Sequence, residues 1–264
     1  MKKIISDVLG TVDRLNVKKD RWSYLTSIEY MLKSRLYVDS LYEDSLRASK
    51  YLPKDGGKVL DLGTGCGIYA ILLRNHNALT DICAIDATRD KSQNDPNFSD
   101  TSKEQEKVWA VFSKDYSIKF SHYDGLNIPY PDNTFDVLTA YAVIEHIDEG
   151  ELARVFSEVR RVLKPGGVFF VFKTPRKLAY MEHLAGFVGL GRHEKLYGDK
   201  EVKRLLLENK FKIVESWKSN LVCEFPGKVT NPLYWALKGM DWVLYHSPAR
   251  LFAHHNNFIL RRDM

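Results

Sequence analysis

The run Val59-Leu60-Asp61-Leu62-Gly63-Thr64-Gly65-Cys66-Gly67 places three glycines at alternate positions, after an apolar β-rich stretch and before a helical one. Glycines there permit positive φ and let a ligand approach the backbone without meeting a Cβ. Alone, G-x-G-x-G marks many tight turns. Two carboxylates sharpen it: Asp61 precedes the loop, and Asp86 stands 25 positions further on, at the end of a second apolar strand. An acid in that place can accept both hydroxyls of a ribose. The kind of nucleoside turns on phosphate. A dinucleotide fingerprint needs Gly or Ala where Ile68 stands, and no Gly-Lys-Ser/Thr follows to make a Walker loop. The loop lacks what seats a pyrophosphate and keeps what seats a ribose. An adenosyl ligand without phosphates fits, and S-adenosylmethionine is the common one.

These residues need a frame, and the chain supplies a regular alternation. Apolar β-rich runs read as strands at Lys58–Leu62, Asp81–Asp86, Ile118–His122, Phe135–Ala140 and Val168–Lys173. Helical spacing is found at 22–50, Ile68–Asn75, Glu149–Leu163 and Asp199–Asn209, and Lys164-Pro165-Gly166-Gly167 is expected to stop the third of these. Further strands follow at Phe211–Ser219 and near Asn257–Arg262. The alternation predicts an α/β fold: a Rossmann-like, doubly wound, mostly parallel seven-stranded sheet with an antiparallel edge strand. With 44% hydrophobic and 28% charged residues, the chain has a globular balance rather than a disordered one. The three cysteines are odd in number and lack C-x-x-C spacing, which excludes a disulfide scaffold or zinc ribbon and indicates a reducing compartment. No apolar run is long enough to span a bilayer. The start Met1–Ile5 imitates a secretory n-region, but Ser6 and Asp7 interrupt it, so a cytoplasmic location is expected.

Several ordered blocks together resemble the class I S-adenosylmethionine-dependent methyltransferases, in the methyltransferase type 11 group that includes ubiquinone and menaquinone biosynthesis enzymes. The blocks are Val59–Gly67, Cys83-Ala84-Ile85-Asp86, His122-Tyr123-Asp124-Gly125, Tyr130–Val137, Ala140–Ile147 and Leu163–Gly167. The resemblance is good over about residues 50–175 and loose to 219. It departs between Asp86 and Ile118, where the family needs one helix and this chain adds the polar stretch Asp90–Thr101, expected to be a surface insertion. The resemblance implies roles. Gly63 and Gly65, with Thr64 and Gly67 in the same loop, would line the methionine moiety and ribose, and Asp61 would sit near the amino acid part. Asp86 would hold the ribose hydroxyls, with Ala87 beside adenine. Asp124 would accept from the adenine amino group, flanked by Gly125 and Leu126. Ala140 and Tyr141 would face the sulfonium. Asp61 also suits a helix cap, and Asp124-Gly125 an ordinary turn.

Methyl transfer from a sulfonium is an in-line displacement on an activated carbon, so the enzyme chiefly aligns the reactants and excludes water. A base is required only if the acceptor must lose a proton. His146, in Ala142–Ile147 after the fourth strand, is the first candidate, and capping by Glu145 and His146 is the competing reading. His193, in the polar loop Gly189–Tyr197, is the second, with Tyr197 as a substrate-side neighbour; an ordinary loop histidine is the plain alternative. His254 and His255 have no carboxylate or cysteine at ligand spacing, so no metal is expected.

The C-terminal quarter holds the positive charge: residues 200–264 carry 11 Lys/Arg against 6 Asp/Glu, while 1–199 carry 28 of each. Asn231-Pro232-Leu233-Tyr234 imitates an Asn-Pro-Pro-Tyr motif but lies far from the fourth strand, which disfavours nucleic acid as substrate; Asn231 reads instead as an N-cap with Pro232 at the first helical position. In the helix Pro232–Tyr245, Leu233, Ala236, Leu237, Met240, Val243 and Leu244 form an apolar face flanked by Trp235 and Trp242, with Lys238 and Asp241 opposite. That helix suits a lid, a homodimer contact or a peripheral membrane contact through 232–245. The expected organisation is a helical cap at 1–50, a cofactor-binding domain at 51–219 and 251–264, and a helical lid at 220–250. The expected reaction is methyl transfer to a small-molecule acceptor, a hydroxyl on an apolar, lipid-linked or glycosyl compound. The alternatives are a nucleic-acid or protein methyltransferase, another adenosyl-ligand transferase such as an aminopropyl transferase, and a non-catalytic cofactor-binding protein.

Overall fold

The computed structural model describes residues 2–15, 24–65, 67–87, 102–187, 193 and 195–263. Three helices come first: α1 (Lys2–Arg14), α2 (Tyr24–Leu32) and α3 (Arg35–Ser49). Next come β1 (Lys58–Leu62), α4 (Ile68–His76), β2 (Asp81–Ala87), α5 (Ser102–Tyr116), β3 (Lys119–Tyr123) and β4 (Phe135–Tyr141). A 3₁₀ turn, Ile144–His146, then leads to α6 (Glu149–Val162), β5 (Leu163–Pro175), α7 (Tyr180–Phe187), α8 (Asp199–Glu208) and β6 (Phe211–Ser219). The chain ends with α9 (Gly227–Thr230), α10 (Tyr234–Tyr245), a second 3₁₀ turn at Pro248–Phe252 and β7 (His255–Arg262).

The strands form one seven-stranded sheet in the order β3-β2-β1-β4-β5-β7-β6. β3, β2, β1, β4 and β5 pair in parallel. β7 runs antiparallel to both β5 and the outermost strand β6, so the antiparallel pairing lies at that edge. This is the doubly wound sheet expected from the alternation. Strand order reverses between β1 and β4, and in such sheets the crevice at that reversal, beyond the carboxyl ends, is where ligands bind.

The strands are apolar throughout because both faces are covered. In β5, Val168, Phe170 and Phe172 pack with Val59, Val137 and residues of α1, α3, α4 and α5, while Phe169 and Val171 pack with Val155, Phe156 and Val159 of α6 and Val202 and Leu206 of α8. Each such side chain, taken fully from water, contributes roughly 1.5–3 kcal/mol of transfer free energy. That holds the carboxyl ends of β1, β4 and β5 in fixed register.

The structure corrects three local expectations. The helix expected over 22–50 is broken at Lys33-Ser34, where Ser34 caps α3 by accepting from the Tyr37 N–H. Asn231 is not the cap of the tryptophan-bearing helix, which begins at Tyr234. It ends α9 instead, and its amide bridges the α2–α3 break: Nδ2 donates to Lys33 O and Oδ1 accepts from Arg35 N, both at 2.8 Å. Helix α6 stops at Val162, before Lys164-Pro165-Gly166-Gly167 as expected, but the fifth strand begins at Leu163 rather than Val168 and takes in that segment, because Leu163 already pairs with Phe135 and a register shift before Val137 absorbs the irregular residues. The polar stretch Asp90–Thr101 lies outside the described residues.

Helix α10 turns its polar strip toward the rest of the chain. Asp241 accepts from the Leu221 and Val222 N–H groups at 2.8 and 3.1 Å, and Lys238 pairs with Glu43 at 2.6 Å. Trp235 and Trp242 are 74% and 64% exposed, and Val243 and Met240 are exposed with them. The loop amides after β6 need acceptors, and Asp241 provides one, which sets the rotation of the helix.

Candidate active site

A cleft of about 1120 Å³ opens at the carboxyl ends of β1 and β4. Of the residues singled out from the sequence, Asp61, Gly63, Thr64, Gly65, Tyr141, His146 and His193 line it. Gly67, Asp86, Ala87, Asp124, Gly125, Leu126 and Ala140 are not among its lining residues. Apolar walls come from α2 and α3 and from the stretch 222–226, through Ile28, Met31, Leu41, Val222 and Phe225. The volume is large for a single small ligand, for which a few hundred Å³ suffices.

On one side of the cleft the polar groups are tied down by the chain itself. Asp61, at 1% exposure, accepts from the Thr64 hydroxyl at 2.6 Å and from the Thr139 hydroxyl. Burial pushes its carboxyl up to about 6, against the two hydroxyl bonds, with the Asp86 charge adding to the rise. Gly63, Gly65 and Gly67 all have positive φ. At Gly67 a Cβ would lie 2.5 Å from the Trp109 ring, whereas at Gly65 no described atom lies within 4 Å of that position. The loop is thus closed toward α5 and open at its middle.

Asp86 Oδ2 accepts from Gly65 N at 2.8 Å and from Gln105 Nε2 at 2.7 Å, and Oδ1 accepts from Ala87 N at 2.9 Å. Burial raises its carboxyl, opposed by these bonds. Gln105 and Trp109 of α5 also donate to Gly65 O at 3.1 and 3.3 Å. Sequence reasoning did not single out these α5 residues, since neither glutamine nor tryptophan at that distance carries a motif. Asp124 accepts from Leu126 N at 2.8 Å and Asn127 N at 2.6 Å, and these bonds hold its carboxyl below the ordinary range. It closes a turn whose Gly125 lies against Ala87.

The other side is built from histidines and acids that converge from distant segments. Glu145, in the turn after β4, is 6% exposed, and its carboxylate oxygens receive no hydrogen bond from any other described residue, only one from its own backbone N–H. Burial pushes its carboxyl up to about 7. His146 follows it, with its ring centroid 5.9 Å from that of His193. His193 Nδ1 and Glu182 Oε1 are 2.8 Å apart, and its backbone N donates to Glu182 Oε2 at 3.0 Å. His254 Nε2 reaches the same Glu182 Oε1 at 2.7 Å. The bond to Glu182 raises His193, against its burial. Burial would raise Glu182, but the bonds from His193 and His254 outweigh it and hold that carboxyl far below the usual range. The carboxylate missing beside His254 in the sequence therefore arrives from α7, 72 residues away.

Tyr197 does not face the cleft. It is 1% exposed, and its hydroxyl donates to Ile144 O at 3.0 Å, which steadies the turn carrying Glu145 and His146. Tyr141 stacks on Tyr69 with centroids 4.7 Å apart. Behind them Lys173, a buried residue at φ +60°, donates to Asn220 Oδ1 at 2.6 Å and lies 3.5 Å from Asp44 Oδ2. Lys173 and Asp44 carried no sequence signal, because an isolated lysine or aspartate in a strand or helix reads as surface. Among the described residues, no helix is long and apolar enough to cross a membrane.

Comparison with known proteins agrees with this fold. Residues 35–216 match the methyltransferase domain family. The demethylmenaquinone methyltransferase of Corynebacterium kroppenstedtii is 30% identical over 140 residues, covering 52% of this chain and 51% of that protein. The sterol 24-C-methyltransferase erg6 of Aspergillus fumigatus is 30% identical over 163 residues, covering 60% of this chain and 40% of that one. The chain thus spans about half or less of the length of the curated relatives it matches. Among solved structures, an S-adenosylmethionine-dependent methyltransferase from Mesorhizobium loti aligns with a TM-score of 0.55 at 18% identity, covering 84% of this chain and 98% of that one. At that identity the likeness concerns the fold.

Proposed function

The chain belongs to the methyltransferase domain family, and from that premise we propose that it transfers a methyl group from S-adenosylmethionine to a small apolar acceptor through a hydroxyl that must lose a proton. One observation carries this reading: the glycine loop with Asp61 and the cluster Glu145, His146 and His193 line the same cleft. The residues fit the cofactor. A buried carboxylate raised to about 6, with hydroxyl groups as its donors, is complementary to the ammonium of an amino acid. The open middle of the loop at Gly65 admits close approach of a ligand to the backbone. Bound there, S-adenosylmethionine would supply an electrophilic methyl group.

The remaining chemistry falls to the chain. We assign Asp61, Gly63, Thr64 and Gly65 to holding the cofactor directly. Asp86 and Gln105 hold the loop in shape through Gly65. The corner made by Glu145, His146 and His193 takes up the acceptor's proton, and Tyr197 and Glu182 hold that corner in place. Ile28, Met31, Leu41 and Phe225 exclude water and favour an apolar acceptor. The names of two relatives, for a demethylmenaquinone and a sterol enzyme, support an acceptor of lipid-like character. We read 1–50 as a cap, 51–219 with 251–264 as the cofactor-binding domain, and 220–250 as an insertion whose residues 222–226 wall the cleft. We place the protein in the cytoplasm on its cysteine content.

The outward side of α10 favours a second element of this reading, docking on a membrane surface that holds the acceptor. Its exposed tryptophans suit the interfacial layer, and α10 contributes no residue to the cleft lining. The test of the whole is direct. S-adenosylhomocysteine should bind in calorimetry, and methyl-labelled cofactor should pass label to hydroxylated apolar acceptors extracted into organic solvent. Binding of NADH in place of the homocysteine would defeat the assignment, and binding without turnover on any acceptor would reduce the protein to a cofactor-binding scaffold. Anionic liposomes should retain the protein, and Trp235→Ala with Trp242→Ala should release it.

A further inference from the structure

We propose that Glu145, His146 and His193 form a binding site for one divalent first-row transition-metal cation at the acceptor end of the cleft. One donor atom from each of the three side chains lies within 4.8 Å of the other two. A triangle of that side has its centre about 2.8 Å from each corner, against the ~2.1 Å usual for a metal–nitrogen bond, so side-chain shifts of under about 1 Å would complete coordination.

Two independent features of the surroundings point the same way. The first is Glu145. A buried carboxylate that receives no hydrogen bond from any other described residue, only one from its own backbone N–H, is rare in folded proteins and calls for an explanation. A cation between it and the two imidazoles gives this carboxylate the partner that it lacks. The second is Glu182. It engages the Nδ1 edge of His193 and the backbone N–H of the same residue, which fixes the ring and leaves Nε2 with its lone pair for a ligand. A carboxylate behind a ligating histidine is the usual outer partner of a metal site, orienting the ring and raising its basicity. His254 steadies Glu182 from the other side.

The donor chemistry selects the class of ion. Two imidazoles and one carboxylate suit manganese, iron, cobalt or zinc, whereas calcium and magnesium prefer all-oxygen sets. Three protein ligands leave coordination positions open toward the cleft, as in catalytic rather than structural sites. The sequence signal for such a site was weak because it joins a Glu-His pair to a histidine 47 positions further on. This inference rests on the methyltransferase reading for its role and replaces one step of it: with the ion bound, the three side chains act as ligands rather than as the base, and the ion would favour the deprotonated form of an acceptor hydroxyl, whose proton passes to water.

The test uses the full chain, stripped with chelator, desalted and titrated with Co²⁺ alone. One equivalent should bind per chain and develop a visible d–d absorption band. Glu145→Gln and His193→Asn should each weaken Co²⁺ binding at least tenfold, while His183→Asn on the exposed side of α7 should leave it unchanged. Calorimetry with S-adenosylhomocysteine on the same samples reports whether each variant is folded. Since His193 is partly exposed, His193→Asn remains informative should Glu145→Gln fail to fold. Wild-type protein that takes up no cobalt, or that keeps the same band and affinity in His193→Asn, overturns the cation site. Failure of the wild type to bind the homocysteine, with cobalt binding intact, would instead overturn the methyltransferase reading beneath it.

Discussion

The two sides of the cleft treat their carboxylates differently. Asp61 and Asp86 are supplied with donors by neighbouring residues: hydroxyls of Thr64 and Thr139 for one, amides of Gly65, Ala87 and Gln105 for the other. Glu145 is buried like Asp61 and receives no hydrogen bond from any other described residue. A side that binds the same cofactor in every turnover gains from groups arranged in advance, because preorganised donors need no rearrangement. A side that must take a proton or an ion from outside gains from a carboxylate that no other described residue engages. On the assignment proposed above, the half given to the cofactor has its carboxylates paired within the fold, while the half given to the acceptor holds one that is not.

Substitutions in the acceptor half should produce the largest effects and spare cofactor affinity. Glu145→Gln and His193→Asn are each expected to lower turnover about 10²–10³-fold, within the range of a lost proton acceptor, and to change the dissociation constant of S-adenosylhomocysteine less than threefold. A matching loss of homocysteine binding would erase the contrast between the halves.

Next in size is Asp61→Asn, which should weaken the homocysteine by about 10–100-fold, as expected for a charge-assisted bond of ~1.5–3 kcal/mol. The pH profile sharpens this. With its carboxyl raised to about 6, Asp61 is ionised above that value, so homocysteine affinity should be full near neutral pH and fall as pH drops through about 6. Stability of the free protein has the opposite sign at this residue: burial favours the protonated acid, so its contribution declines as pH rises toward about 6. In Asp61→Asn both dependences should flatten; calorimetry and urea unfolding at stepped pH measure them.

Smaller effects are expected from the supports. Asn231→Ala removes both bonds across the α2–α3 break and should cost about 1–2 kcal/mol in urea unfolding. Gln105→Ala takes one donor from Asp86 and one from Gly65 O and should weaken the homocysteine about fivefold, near 1 kcal/mol, without changing turnover at saturating cofactor. A Gln105→Ala variant that loses turnover and keeps affinity would place α5 on the wrong side of the comparison.

The legibility of the two halves follows from the same physics. Asp61 and the glycines are contiguous, and their meaning comes from backbone geometry that a short run dictates, so β1, its loop and the alternation of strands could be read directly. The acceptor corner joins Glu145 to His193 and both to Glu182 and His254, four positions whose proximity is made by the packing of β5, α7 and β7. No local pattern encodes that. In helix α10 the amphipathic pattern marked two sides, and which of them finds a partner was left open by the sequence because it is decided by the Leu221 and Val222 amides that Asp241 satisfies.

The bridge made by Asn231 carries a consequence for how the molecule comes into being. A residue emerging late from the ribosome fastens a joint between two helices made almost 200 positions earlier. Until that residue arrives, the α2 and α3 wall lacks its latch, although the five parallel strands β1–β5 behind it have already been made; β7, which joins β6 to β5, follows only at His255–Arg262. Nascent chains halted before this point are therefore expected to present a formed nucleoside pocket under a loose roof, a state that protease cleavage near the α2–α3 joint would reveal.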